Sequence, residues 1–271
     1  MNNLNYRWRL DGADHSFVMN FVEGTKGRQF LFGECQSSRA IKIPDFFIAT
    51  IPVTQALWTL VMGADRNPSH FRGDRRPVEN VSWHDVTDRG GFLSRINSSE
   101  ILTEMTRQLS GDSKAGFRLP SETEWEYAAR GGPQCADGFQ FSGSNDIDSV
   151  AWYDRNSGGP REGGFWQKRP RSNHVLGTET HDVALKGPNQ LGLFDMSGNV
   201  WEWCQDYFTR DVGAIPSDGT PFVGDGSDRI LRGGCHHNWA IHCTASKRYE
   251  IDAGHRDECI GFRLALSLVP R

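Results

Sequence analysis

Apolar residues recur with a helical period in three stretches, and each stretch opens on a side chain suited to cap it. After Thr54, the run Gln55-Ala56-Leu57-Trp58-Thr59-Leu60-Val61-Met62 predicts a helix. The threonine hydroxyl can accept one of its unpaired first-turn N–H groups, and Gly63 stops it. Ser82, with Asp85 three positions on, opens a second; its apolar face of Val86, Leu93 and Ile96 is ragged and is weakened by Gly90-Gly91. The third is the best marked. Ser121-Glu122-Thr123-Glu124 is a reciprocal capping box, Trp125, Ala128 and Ala129 form the buried stripe, and Gly131-Gly132 ends it. Strand patterns are short, at 46–50, 200–203, 229–231 and 262–266. Trp201 and Trp203 alternate on one of them, so both indoles share a face and belong to the core. Few long elements and much irregular backbone predict an α+β domain in which aromatics and turn hydrogen bonds replace a large sheet.

Composition agrees. The 271 residues include 9 Trp and 16 Phe against only 37% hydrophobic residues and 30 Gly, which suits a loop-rich fold that buries bulky rings. A formal net charge of −4 carries no footprint for nucleic acid, and no apolar run is long enough to span a bilayer. The start, Met1-Asn2-Asn3-Leu4-Asn5, is no secretory signal, so the expected location is the cytoplasm, or the cell surface if an export signal has been removed. Leu268-Val269-Pro270-Arg271 reads as the remnant of a cleavable tag, which leaves one domain at residues 1–266 and a tag remnant at 267–271. Residues 154–188, rich in Gly, Pro, Asn and Arg, read as a long surface loop. The six cysteines (Cys35, Cys135, Cys204, Cys235, Cys243 and Cys259) are scattered without a C-x-x-C pair; disulfides stay open, and a zinc ribbon is not expected. There is no nucleophile elbow, Walker loop, dinucleotide fingerprint or H-E-x-x-H.

Several segments in order carry a family resemblance: Pro52-Val53-Thr54-Gln55, Asn67-Pro68-Ser69-His70-Phe71, Pro77-Val78-Glu79-Asn80-Val81-Ser82-Trp83, Arg118-Leu119-Pro120-Ser121-Glu122, Asn189-Gln190-Leu191-Gly192-Leu193-Phe194-Asp195-Met196-Ser197-Gly198-Asn199-Val200-Trp201-Glu202-Trp203, Arg232-Gly233-Gly234 and Gly261-Phe262-Arg263. Together they resemble the formylglycine-generating-enzyme (sulfatase-modifying factor) family, which implies a C-type-lectin-like fold. By their residue types, Glu124, Glu126 and Arg130 suit ion pairs, and the planar forks of Arg232 and Arg263 suit ties to carboxylates. The resemblance also offers a candidate calcium set, Asp195 and Glu202 through carboxylates with Gly198 and Val200 through carbonyls. The same two acids could instead cap a turn and meet an arginine.

Oxidase members of the family hold copper(I) on two cysteines five residues apart. Here Cys243 falls at the second place and Asn238 at the first, and an amide does not substitute for a thiolate on copper(I). A substitute metal site among Cys235, His236, His237, His242 and Cys243 is the alternative, and would make the chain a metal-dependent oxidoreductase acting on a small molecule or peptide thiol.

Residues 235–259 mix polar, aromatic and charged types without a period, between Arg232-Gly233-Gly234 and Ile260-Gly261-Phe262-Arg263. The stretch resembles the variable region of bacterial diversity-generating-retroelement proteins, with Cys243, Arg248 and Arg256 as frame. The slots between are His236, His237, Asn238, Trp239, His242, Lys247, Tyr249, Glu250, Ile251, Asp252, His255, Asp257, Glu258 and Cys259. The resulting expectation is a recognition protein for a protein or cell-surface ligand that needs no cofactor, with calcium as the candidate ion.

Overall fold

The computed structural model describes residues 3–33, 38–109, 114–158 and 177–269, so Cys35 and the middle of the expected 154–188 loop lie outside the described residues. The chain opens on a hairpin of β1 (Leu4–Leu10) and β2 (Ala13–Val22), turned by Asp11 and Gly12, both at positive φ. Two short strands follow, β3 (Phe30–Phe32) and β4 (Arg39–Ile41), then β5 (Phe46–Ala49). The helical region contains α1 (Gln55–Met62), α2 (Trp83–Thr87), α3 (Phe92–Ile96) and α4 (Glu100–Gln108), and β6 (Lys114–Arg118) leads to α5 (Glu122–Ala129). A short α6 (Ile147–Val150) precedes β7 (Trp201–Tyr207), β8 (Asp228–Arg232), β9 (Arg248–Asp252), β10 (Ile260–Gly261) and β11 (Ala265–Val269).

These strands form a five-stranded sheet in the order β1-β2-β5-β11-β6 and a four-stranded sheet in the order β10-β7-β8-β9, with β3 and β4 paired apart. The α+β, C-type-lectin-like reading holds. The three expected helix starts are present, with Thr54 accepting from Leu57 N and reciprocal boxes at Ser82/Asp85 and Ser121/Glu124. Gly90-Gly91 breaks the second helix into α2 and α3. The hairpin and α4 were not anticipated, although Ile101 and Met105, four positions apart, share the buried face of α4. The backbone pairing of β11 with β6 continues to Val269, so residues 267–269, read above as tag, lie in the sheet.

One apolar body joins β2, β5 and α1 to α4 through Phe17, Met19, Phe47, Trp58, Phe92, Trp203 and Phe262. A second surrounds Trp125 with Phe32, Phe46, Ile48, Met196 and Ile230. Helix α5 lies so deep that all eight of its residues are buried, three of them glutamates. Buried carboxylates need partners, and arginines supply them. Glu124 takes a fork from Arg118 (2.6 and 2.7 Å), and Glu126 is held by Arg130 (2.9 Å) and Arg232 (2.6 Å). No helix among the described residues is long and apolar enough to cross a membrane.

Candidate functional site

The site grows from the α5 carboxylates outward. Arg232, at the end of β8 and fully buried, reaches Glu126 at 2.6 Å and Glu122 at 3.2 Å, and donates to the Ala245 and Ser246 carbonyls. Arg248, which opens β9, forks onto the same Glu122 at 2.6 and 2.7 Å. One helix therefore grips the chain where it leaves the sheet and where it returns. Farther on, Arg256 forks onto Asp85 of α2 at 2.7 Å for both bonds, and Arg263 forks onto Glu202 of β7 at 2.6 Å for both. The arginines of the expected frame are thus each tied to a carboxylate, and the backbone between them is fixed by groups outside the slots.

The exit from β8 is sharp. Gly233 (φ +98°) and Gly234 (φ +76°) take conformations that side chains disfavour, and a Cβ at Gly234 would stand 2.7 Å from both Cys243 Sγ and His242 O. The chain then circles through a 3-10 turn at Ala240–His242, returns as β9 and runs to β10. This circuit encloses a cavity of about 330 Å³, and nine of its twelve lining residues belong to 235–259: His237, Asn238, Trp239, His242, Tyr249, Ile251, His255, Asp257 and Cys259. Trp201, Leu231 and Ile260 form the back wall. At the rim Trp239 is 51% and Tyr249 45% exposed, and Tyr249 stacks on Trp201 at 5.5 Å between centroids. Asp252 is exposed, and Lys247, Glu250 and Glu258 are half-buried; none of the four lines the cavity.

Two expected contact residues turn inward instead. His236 is fully buried and His237 nearly so. The Gly-Gly turn drives the chain under the loop, where His236 N donates to Asn199 O and the His236 ring packs edge-on against Phe71. Neither presents an open surface, although His237 lines the cavity from below.

Beneath the cavity lies a thiol and imidazole cluster. Ligand atoms of Cys235, His237 and Cys259 all lie within 4.8 Å of one another, and all three residues are buried. Cys259 Sγ is 3.0 Å from His237 Nδ1 and 3.4 Å from His236 Nε2. The Cys235 thiol donates to Asn238 Oδ1 at 3.1 Å. Burial would raise the Cys235 thiol, but hydrogen bonding with Cys259 and the charge of His237 outweigh it and bring it down to about 6. Burial and the neighbouring Cys235 push Cys259 well up. Cys243 stays apart, packed with Phe141, Val150 and Tyr153, where burial holds its thiol well above the ordinary value. The expected grouping of Cys235 and Cys243 with imidazoles is therefore corrected: the second thiol is Cys259, which no short-range spacing could have marked. Cys204, Cys235, Cys243 and Cys259 are free.

The two carboxylates of the candidate calcium set are already partnered within the core. Both Glu202 oxygens accept from Arg263, and one also accepts from Trp125 Nε1 at 2.6 Å. Asp195 accepts from Ala184 N at 2.8 Å and from Asn199 Nδ2, and burial pushes its carboxyl up to about 6. A cation would have to displace Arg263 to reach Glu202, so the arginine-bound alternative is the one that this geometry adopts. Gly198 N donates to Gly233 O, and Val200 is buried, so these two residues anchor the exit turn and the sheet.

The sulfatase-modifying factor enzyme 1-like domain model matches residues 17–268. The chain belongs to that family. Among curated relatives, chaperone protein LppX of Paenibacillus barcinonensis is 37% identical over 64% of this chain and 66% of its own length. The formylglycine-generating enzyme of Streptomyces coelicolor is 32% identical over 77% of this chain and 60% of its own. The chain thus spans about two thirds or less of these family members. Among solved structures, Treponema denticola variable protein 1 superposes with a TM-score of 0.71 at 28% identity, covering 96% of this chain and 98% of that one. Within the family, the resemblance to a variable protein therefore runs the length of both chains.

Proposed function

We propose that this family member is a recognition protein whose contact surface is the cavity and rim formed by residues 235–259. One observation carries the reading: nine of the twelve cavity residues come from the variable-like stretch, while Arg248 and Arg256, which hold that stretch to Glu122 and Asp85, are not among the lining residues. Rigid amphipathic rings at the rim, Trp239 and Tyr249, are the kind of side chain that anchors a contact at low entropic cost. The family's oxidase chemistry is not carried over, because the first copper thiolate is replaced by Asn238, whose amide folds back onto Cys235 at 3.1 Å. The ligand belongs to a protein or cell surface, and a formal net charge of −4 gives nucleic acid no general attraction.

The test pairs binding with turnover. Glycan and peptide arrays are probed with the wild-type protein and with the Trp239→Ala/Tyr249→Ala variant, and copper-loaded protein is given a cysteine-containing peptide under oxygen. The expected result is a ligand that the double variant binds at least about tenfold more weakly, with no oxygen uptake. Copper-dependent conversion of the peptide cysteine to an aldehyde would overturn the reading in favour of a metal-dependent oxidoreductase.

A further inference from the structure

Cys235, His237 and Cys259 are brought together from the two ends of the segment, one pair just past the Gly-Gly turn and the other residue just before β10. Their three ligand atoms lie within 4.8 Å of one another in a buried pocket, close enough to share one ion after small side-chain movement. Two sulfurs and one imidazole nitrogen make a donor set for a soft or borderline cation; calcium and magnesium require oxygens that are absent from this trio. Copper(I) in this family calls for paired thiolates at positions 238 and 243, and here one is an amide and the other a thiol packed in an apolar cluster. We infer that Cys235, His237 and Cys259 bind a zinc ion that closes the segment into a ring under the cavity. His237 and Cys259 line the cavity floor, so the fourth, tetrahedral position faces the space where a ligand or water would sit.

Binding forms two zinc–sulfur bonds and one zinc–nitrogen bond and releases the remaining thiol protons to solvent, with no change of oxidation state. The ion would staple the one part of the ring that no arginine fork spans, between the turn at 233–235 and the approach to β10. This inference does not depend on the recognition reading, since a stapled ring would serve either a paratope or another use of the same cavity.

The experiment loads the full chain with zinc under reducing, oxygen-free conditions, removes excess by gel filtration and measures metal by mass spectrometry. One zinc per chain is expected for the wild type and for Cys243→Ser, which removes a neighbouring thiol outside the trio. Cys235→Ser, Cys259→Ser and His237→Asn should each drop the stoichiometry to a small fraction of that. Should the serine variants fail to fold, cobalt(II) substitution of the wild type supplies the second readout: tetrahedral, sulfur-to-cobalt charge-transfer absorption that His237→Asn alters and Cys243→Ser leaves intact. Zinc retained by the trio variants, no metal uptake by wild type, or a Cys235–Cys259 disulfide persisting under the reducing load would each overturn the site.

Discussion

Helix α5 and the segment that it holds are built on opposite rules. The helix has no exposed face, and its three glutamates are held by four arginines over distances of 2.6 to 3.2 Å. The segment at 235–259 keeps its anchors to Arg248, Arg256 and the buried Cys243, and turns aromatic and polar side chains toward a cavity. Substitution in the first strands a charge; substitution in the second alters a surface. The forks that hold the ring and most of the side chains that line the cavity are thus different residues.

That contrast can be broken in order of size. The largest effect is expected from Arg232→Ala, which leaves Glu122 and Glu126 short of a buried partner and should cost about 3–5 kcal/mol in urea denaturation. An Arg232→Ala protein as stable as wild type would show that the forks are not what supports the ring.

Next comes a pH effect in the scaffold. Asp206, fully buried beside Glu122, has its carboxyl pushed up to about 7 by burial and by that neighbouring charge. A raised carboxyl binds its proton more tightly folded than unfolded, so its contribution is present at acid pH and is lost as pH rises from about 4 through about 7. Wild-type denaturation midpoints should decline over that window, with a loss on the order of a few kcal/mol, and Asp206→Asn should flatten the decline even if its absolute stability is lower. An unchanged slope in the variant would assign the effect elsewhere.

Smaller still is Tyr249→Ala, which forfeits the stack on Trp201 and should cost about 1 kcal/mol in thermal unfolding. Arg256→Ala acts on a half-exposed pair with Asp85 and should cost less than about 1 kcal/mol, read from the same melts. Smallest is Trp239→Ala, within about 0.5 kcal/mol of wild type, because half of the indole already faces solvent. Were Trp239→Ala as damaging as Arg232→Ala, the rim would be part of the core and the division of labour would fail.

Much of this was legible before the fold was known. The capping hydroxyls of Thr54, Ser82 and Ser121 act within three residues of themselves, so their helices could be read directly. The indoles of Trp201 and Trp203 follow the two-residue period of a strand and are buried. The cavity's variable-like residues were recognisable as a group because they sit between Arg232-Gly233-Gly234 and Ile260-Gly261-Phe262-Arg263. The hairpin of β1 and β2 escaped notice, since its side chains alternate only partly between buried and exposed.

By itself, then, the sequence determined the helix starts, the aromatic core, and the frame of arginines and glycines. All of these depend on residue type and on neighbours a few positions away. Only tertiary structure decided that Glu202 meets Arg263, that His236 and His237 turn inward, and that Cys259 meets Cys235. Those outcomes depend on which distant segments share a buried volume, where each charge or polar atom must find a partner at hydrogen-bond distance, and local spacing carries no record of that competition.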